Sequence, residues 1–208
     1  MTVKDGKGKY MRIITGSARG ANLETLEGEA TRPTSQRVKE AVFSMIQFDI
    51  EGRTVLDLFA GSGQLGLEAL SRGAARATFC DNSRDAVDVV IRNAKKTRLF
   101  DRCRIGVNDY ATAIRSMAKK EKYNLIFIDP PYGMNLCPEV LRRLVEADIC
   151  APGAILICES GSEDVFDGDE ALASQFRVLK KSRYSISYVT LLTPKVEEGE
   201  EEVGESRE

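Results

Sequence analysis

The sequence predicts an α/β protein built on a doubly wound, mostly parallel sheet of about seven strands flanked by helices. A C-terminal antiparallel hairpin finishes the sheet and a small N-terminal β-hairpin precedes it. Three observations carry that expectation. After Gly52, strand-like and helix-like segments alternate strictly. A glycine-rich loop separates the first of those strands from its helix. Two final strand-like runs follow one another with no room for a helix between them, so they pair antiparallel.

The elements follow in order. Met11 to Thr15 and Ala21 to Leu26 read as two short strands joined by a Gly16-to-Gly20 turn. A helix comes next: Thr34 or Ser35 can cap it, Pro33 stands just before it, and Val38, Val42, Met45 and Ile46 fall on one face. The alternating part then reads strand Thr54 to Phe59, helix Leu65 to Ser71, strand Ala77 to Cys80 and helix Asp85 to Arg98. It continues as strand Arg104 to Val107, helix Ala111 to Lys120, strand Asn124 to Ile128, helix Pro138 to Ala147 and strand Ala154 to Cys158. Alternation of this kind places helices on both faces of a parallel sheet. The closing runs, Phe176 to Tyr184 and Ile186 to Leu192, are rich in Val, Ile, Tyr and Thr. Parallel strands finished by such a hairpin form the Rossmann-like sheet of class I methyltransferases, by analogy of fold.

Composition sets the boundaries. With 208 residues and 42% hydrophobic content, the chain can bury one substantial core. The net charge of −2 averages two unlike parts: residues 197 to 208 carry −6, which leaves residues 1 to 196 at +4. The expected organisation is a basic flexible arm over 1–10, a hairpin and helix over 11–50, a main α/β domain over 51–195 and a disordered acidic tail over 196–208. Five cysteines with no CxxC pair, and no apolar N-terminal segment, point to a reduced, cytoplasmic setting without a zinc site or a disulfide framework. No run approaches the roughly 18 apolar residues of a membrane helix. The absence of histidine excludes Ser-His and Cys-His machinery.

Two motifs carry chemistry. The first is Asp129-Pro130-Pro131-Tyr132, directly after the apolar run Leu125 to Ile128. Successive prolines cannot donate to a sheet ladder and end the strand, and the carboxyl ends of parallel strands are where α/β folds keep their sites. The second is the loop from Asp57 to Gly66, in which Gly61, Gly63 and Gly66 satisfy GxGxxG and Asp81 follows Gly61 by 20 positions. That spacing is also the dinucleotide fingerprint. Asp57 distinguishes the two ligands, because an anion at the loop suits a cationic cofactor such as S-adenosylmethionine and opposes a pyrophosphate. The Asp-Pro-Pro-Tyr corner agrees, since two acceptors on an amine's hydrogens localise a lone pair that is otherwise delocalised into a ring. The corner alone leaves adenine N6, guanine N2 and a glutamine amide open as acceptors.

The segments Met11 to Gly20, Thr31 to Glu40 and Asp57 to Gly73 resemble the RsmD family, and the similarity runs over roughly residues 11 to 192. That family methylates N2 of a guanine in small-subunit (16S) ribosomal RNA of bacteria. The resemblance implies that Asp57, Phe59, Gly61, Ser62 and Gly63 line the methionine part of S-adenosylmethionine. Asp81 and Asn82 would meet its ribose, and Asn108 and Asp109 its adenine; Asn108-Asp109 also reads as a helix cap. Asp129, Pro130, Pro131 and Tyr132 would hold the amine and stack on the base. Arg12, Arg19, Arg32, Thr34 and Arg37 are the candidates for RNA contact, and each arginine reads equally as solvated surface. The implied partner is 16S ribosomal RNA within an assembling small subunit, with no metal, no membrane and a monomeric enzyme. Two other readings stay open: an adenine-N6 methyltransferase on DNA or RNA, and an inactive assembly factor that keeps the fold.

Overall fold

The computed structural model describes residues 11–26, 33–131 and 133–195, and of residues 33–35 the backbone alone. The expectations for 1–10 and 196–208 lie outside the described residues. Two short strands open the chain, β1 (Met11–Arg12) and β2 (Asn22–Leu23), followed by α1 (Pro33–Met45). The alternating part comprises β3 (Thr54–Asp57), α2 (Gln64–Ser71), β4 (Arg76–Asp81), α3 (Arg84–Lys96), β5 (Cys103–Val107), α4 (Tyr110–Met117), β6 (Tyr123–Ile128), α5 (Cys137–Glu146) and β7 (Cys150–Ser160). A short α6 (Glu170–Ser174) precedes β8 (Phe176–Tyr184) and β9 (Ser187–Pro194).

Among the described residues the main sheet has seven strands in the order β5-β4-β3-β6-β7-β9-β8. Strands β3 to β7 run parallel, and β9 joins antiparallel to both β7 and β8. The crossover between β3 and β6 places the order reversal at the middle of the sheet, where such folds open a crevice. Leu125 to Ile128 are fully buried, as an apolar run covered on both faces requires. One face packs on α1, α2 and α3 through Val42, Leu67 and Val90; the other packs on α4, α5 and α6 through Ile114, Leu141 and Leu172. The seven-stranded sheet with its closing hairpin is the fold class that the alternation predicts.

Several boundaries differ from the sequence reading, for local reasons. The N-terminal strands are shorter than Met11 to Thr15 and Ala21 to Leu26 because the chain leaves its ladder after Ile13. Ile14 N and Thr15 N donate instead to the two carboxylate oxygens of Glu68, at 2.7 and 3.1 Å. Helix α1 begins at Pro33 rather than after a Thr34 or Ser35 cap; proline suits the first helical position, whose N–H has no partner anyway. Strand β3 ends at Asp57, not Phe59, because the chain turns there into the glycine loop. Helix α3 stops at Lys96, and Arg98 takes a left-handed φ of 60°. Strand β7 is longer than expected and α6 is an element the sequence reading lacks.

The segment before β3 is built into the main core: Met11, Ile13, Leu23, Val38, Phe43 and Ile46 join the same buried cluster as Val55 and Leu70. Its anchor is ionic. Glu68 on α2 is fully buried and meets Arg72 Nε at 2.8 Å and Lys39 Nζ at 3.6 Å. Lys39, itself buried, also donates to the Arg12 carbonyl at 2.7 Å. Beside this, Ser71 Oγ donates to Thr15 O at 2.6 Å and accepts from Ala18 N at 3.0 Å. Gly16 lies so close that a Cβ there would sit 1.8 Å from Ser71 O. Removing one member of a buried ion network leaves the others desolvated, which typically costs about 3–5 kcal/mol. Glu68→Ala should therefore lower unfolding free energy in urea by roughly that amount, and Lys39→Met combined with it should recover part of the loss; additive effects would show that the two charges are not coupled.

Candidate active site

The carboxyl ends of β3, β4, β5, β6 and β7 bring the candidate residues to one rim. In the glycine loop, Gly61 and Gly63 have φ of 50° and 78°, a region that favours glycine. Gly63 N donates to Ala60 O at 2.6 Å and Ala60 N to Cys80 O at 3.0 Å, which seats the loop on β4. Gly66 is needed for contact: a Cβ there would meet the Phe79 ring at 2.3 Å. Ser62 is buried, and its carbonyl accepts from Asn93 Nδ2 at 2.9 Å. The same Asn93 amide donates to Glu24 O, while its Oδ1 accepts from Glu24 N. One buried amide thus ties the glycine loop to the N-terminal segment.

Asp81, at the end of β4, accepts from Gly61 N at 2.8 Å and from Ser83 N at 2.9 Å. Each carboxylate oxygen still has acceptor capacity for a hydroxyl. Asn82 is exposed beside it, and Asn108 and Asp109 are exposed at the end of β5. Asn108 N donates to Asp81 O at 3.0 Å, so these two strand ends are joined. Asp109 caps α4, accepting from Thr112 N at 2.9 Å. The Thr112 backbone and side-chain hydrogen bonds hold its carboxyl below the usual range. The Phe59 and Tyr110 rings meet at 5.4 Å and form an aromatic contact between the first loop and α4.

Asp57 does not present a free anion. It is fully buried and accepts from Gly66 N at 3.1 Å. Burial, with the nearby Asp81 charge adding to it, pushes its carboxyl up to about 7 against the hydrogen bonds from Gly66 and Phe59 N–H.

Asp129 and Pro130, half-buried, follow β6 directly, and Pro131 is exposed. Tyr132 and Arg32 lie outside the described residues, as does the side chain of Thr34. Asp129 lines a recess with Val38, Lys39 and Val42 of α1, Gln64 and Leu65 at the start of α2, and Phe127, Ile157, Glu159 and Val189 of the sheet. Gln64 Oε1 is buried there without a hydrogen-bond partner among the described residues. Arg12, Arg19 and Arg37 are exposed. Arg12 is linked to the recess through its carbonyl bond to Lys39, and Arg37 precedes Val38 on α1. Lys39, Gln64, Glu159 and Asn93 are the residues sequence reasoning missed as site components. Glu159 alone had a visible signal, its place at a strand's carboxyl end.

Comparison with known proteins places the chain. Residues 11–193 match the family model described as Conserved hypothetical protein 95. Ribosomal RNA small subunit methyltransferase D of Escherichia coli (strain K12) is 35% identical over 155 residues, 74% of this chain and 76% of the relative. The protein of that name from Haemophilus influenzae is 32% identical over 151 residues, 72% of this chain and 78% of the relative. The solved structure of yhhF from Escherichia coli aligns with a TM-score of 0.78 at 30% identity, over 89% of this chain and 98% of the other. The chain belongs to the RsmD family.

S-adenosylmethionine is the cofactor of RsmD-family enzymes, and the residues present fit it. Asp81 keeps acceptor capacity for ribose hydroxyls beside the glycine loop, and the buried Asp57 holds the loop's helix in place through Gly66 N–H. The buried Asp57 has a measurable consequence. Its folded value of about 7 lies above the ordinary 3.8, so between those limits the folded state binds the extra proton and stability falls as pH rises. At about 1.4 kcal/mol per unit, urea titrations from pH 4 to 8 should lose on the order of 2–4 kcal/mol through this group, and Asp57→Asn should remove that part of the slope.

Proposed function

We propose that this chain methylates the exocyclic N2 amine of a guanine in small-subunit ribosomal RNA. The observation that carries the reading is Asp129, an acceptor at the end of β6, in a recess that begins at the glycine loop's helix. RsmD-family membership supports an RNA substrate, and the relatives' name supports the small subunit. The bound cofactor supplies an electrophilic methyl group on a positively charged sulfur. Asp57, Phe59, Gly61, Ser62 and Gly63 hold its methionine end, Asp81 and Asn82 its ribose, and Asn108 and Asp109 its adenine.

The chain's task is to orient a poor nucleophile. The Asp129 carboxylate and the Pro130 carbonyl accept the two N2 hydrogens, which localises the nitrogen lone pair towards the methyl donor, and Tyr132 stacks on the base. A bound S-adenosylmethionine would supply the methyl group to the nitrogen so held, and the surplus proton on nitrogen would pass to solvent. No strong base is needed, which suits a chain without histidine. A guanine in a stem cannot reach such a recess, so the target is unpaired or flipped out. Arg12, Arg19, Arg32, Thr34 and Arg37 hold the RNA backbone, in the cytoplasm, on an assembling subunit and as a monomer.

Incubation with labelled S-adenosylmethionine and small subunits lacking the modification should yield labelled N2-methylguanosine on digestion; N6-methyladenosine, or no label, would overturn the reading. Asp129→Ala should reduce kcat by about 10²–10³-fold, the usual loss for a group aimed at the transition state, with cofactor affinity unchanged in calorimetry. Arg12→Glu with Arg19→Glu should weaken RNA binding by about tenfold or more and flatten its salt dependence. Unchanged RNA affinity in filter binding would remove both from the RNA surface.

A further inference from the structure

The positive charge of the chain is gathered, not spread. Residues 1–196 carry +4, and the segment from Phe176 to Lys195 alone carries +5, from Arg177, Lys180, Lys181, Arg183 and Lys195, with no Asp or Glu in it. Four of these cations stand on β8. That strand ends the sheet and, among the described residues, pairs with β9 alone. Arg177, Lys180, Lys181 and Arg183 are all exposed, and among the described residues none of them belongs to an ion pair. Asp164 lies near Lys181, but its two oxygens already accept from Phe166 N and Gly168 N. A charged edge keeps sheets from pairing with one another. That task is served by charges of either sign, whereas a row of one sign repels itself until an anion meets it.

The register decides where this row leads. Arg183 pairs with Tyr188 of β9, and Tyr188 pairs with Ser160 of β7. Ile128 of β6 pairs with Cys158, two residues earlier on β7. The Arg183 end of β8 therefore stands at the same rim as Asp129, three strand spacings away, or about 14 Å. Arg183 is held in place there: its guanidinium lies 5.7 Å from the Tyr188 ring and its Nε donates to Ser185 O at 3.3 Å. The terminal N–H groups of this planar fork have no partner among the described residues and suit a phosphate. Lys181 shares a face with Arg183 and stands about 6.8 Å back along the strand, a step comparable with that between successive phosphates of a nucleic-acid chain.

We infer that β8 is a docking surface for the RNA backbone, on which Arg177, Lys180, Lys181 and Arg183 hold phosphates beside the target nucleotide and lead it to the recess at Asp129. This rests on the RNA-methylation reading above. The test uses the full-length protein and small subunits lacking the modification. In filter binding over a range of KCl, Lys181→Gln with Arg183→Gln should weaken binding by about tenfold and reduce the slope of log K against log salt by about 1–2, the share of two phosphates. Turnover should show KM for the subunit raised by about tenfold with kcat retained. Lys119→Gln with Lys120→Gln removes the same charge from the exposed turn just before β6 begins, at the opposite end of the sheet, and should change neither affinity nor slope. Equal losses in the two pairs would make the effect one of net charge, and an unchanged slope in the β8 pair would take the strand out of the interface. Either result overturns the inference with guanine methylation intact. If the wild type methylates no guanine N2 at all, the functional reading fails and this inference fails with it.

Discussion

The arrangement depends on a carboxylate that never sees solvent. Glu68 sits on α2, one helical turn beyond the glycine loop, with no exposed surface. A buried charge is tolerated only when paired and fully hydrogen-bonded. Glu68 meets that condition with groups from three places: backbone N–H groups of Ile14 and Thr15, the ammonium of Lys39 and the guanidinium of Arg72. Burial lowers the Lys39 pKa, and Glu68 opposes that shift. The pairing therefore fixes α1 against α2 at a set height. Because Lys39, Val38 and Gln64 line the recess, the wall facing Asp129 is positioned by this ion network.

The second constraint is the sheet register. Asp57 and Asp81 end their parallel strands, Asp129 stands one residue beyond its strand and Glu159 one residue before the end of its own. Like charges crowded in this way are costly unless something answers them. On the cofactor side the answer is backbone N–H, from Gly66 to Asp57 and from Gly61 and Ser83 to Asp81. Asp57 also remains partly protonated near neutrality.

Much of this was legible in the sequence, because it depends on local patterns. Strand–helix alternation, the glycine spacing and the two prolines after Ile128 each act within a few residues, and they gave the sheet and its closing hairpin. What stayed hidden involves partners far apart in the chain. The N-terminal strands came out short because Glu68, more than fifty residues away, takes the amides a longer hairpin would use. Asn93 reads as a helix's buried stripe, and only the fold shows its amide joining Ser62 to Glu24. Asp57 reads as a free anion until burial is known.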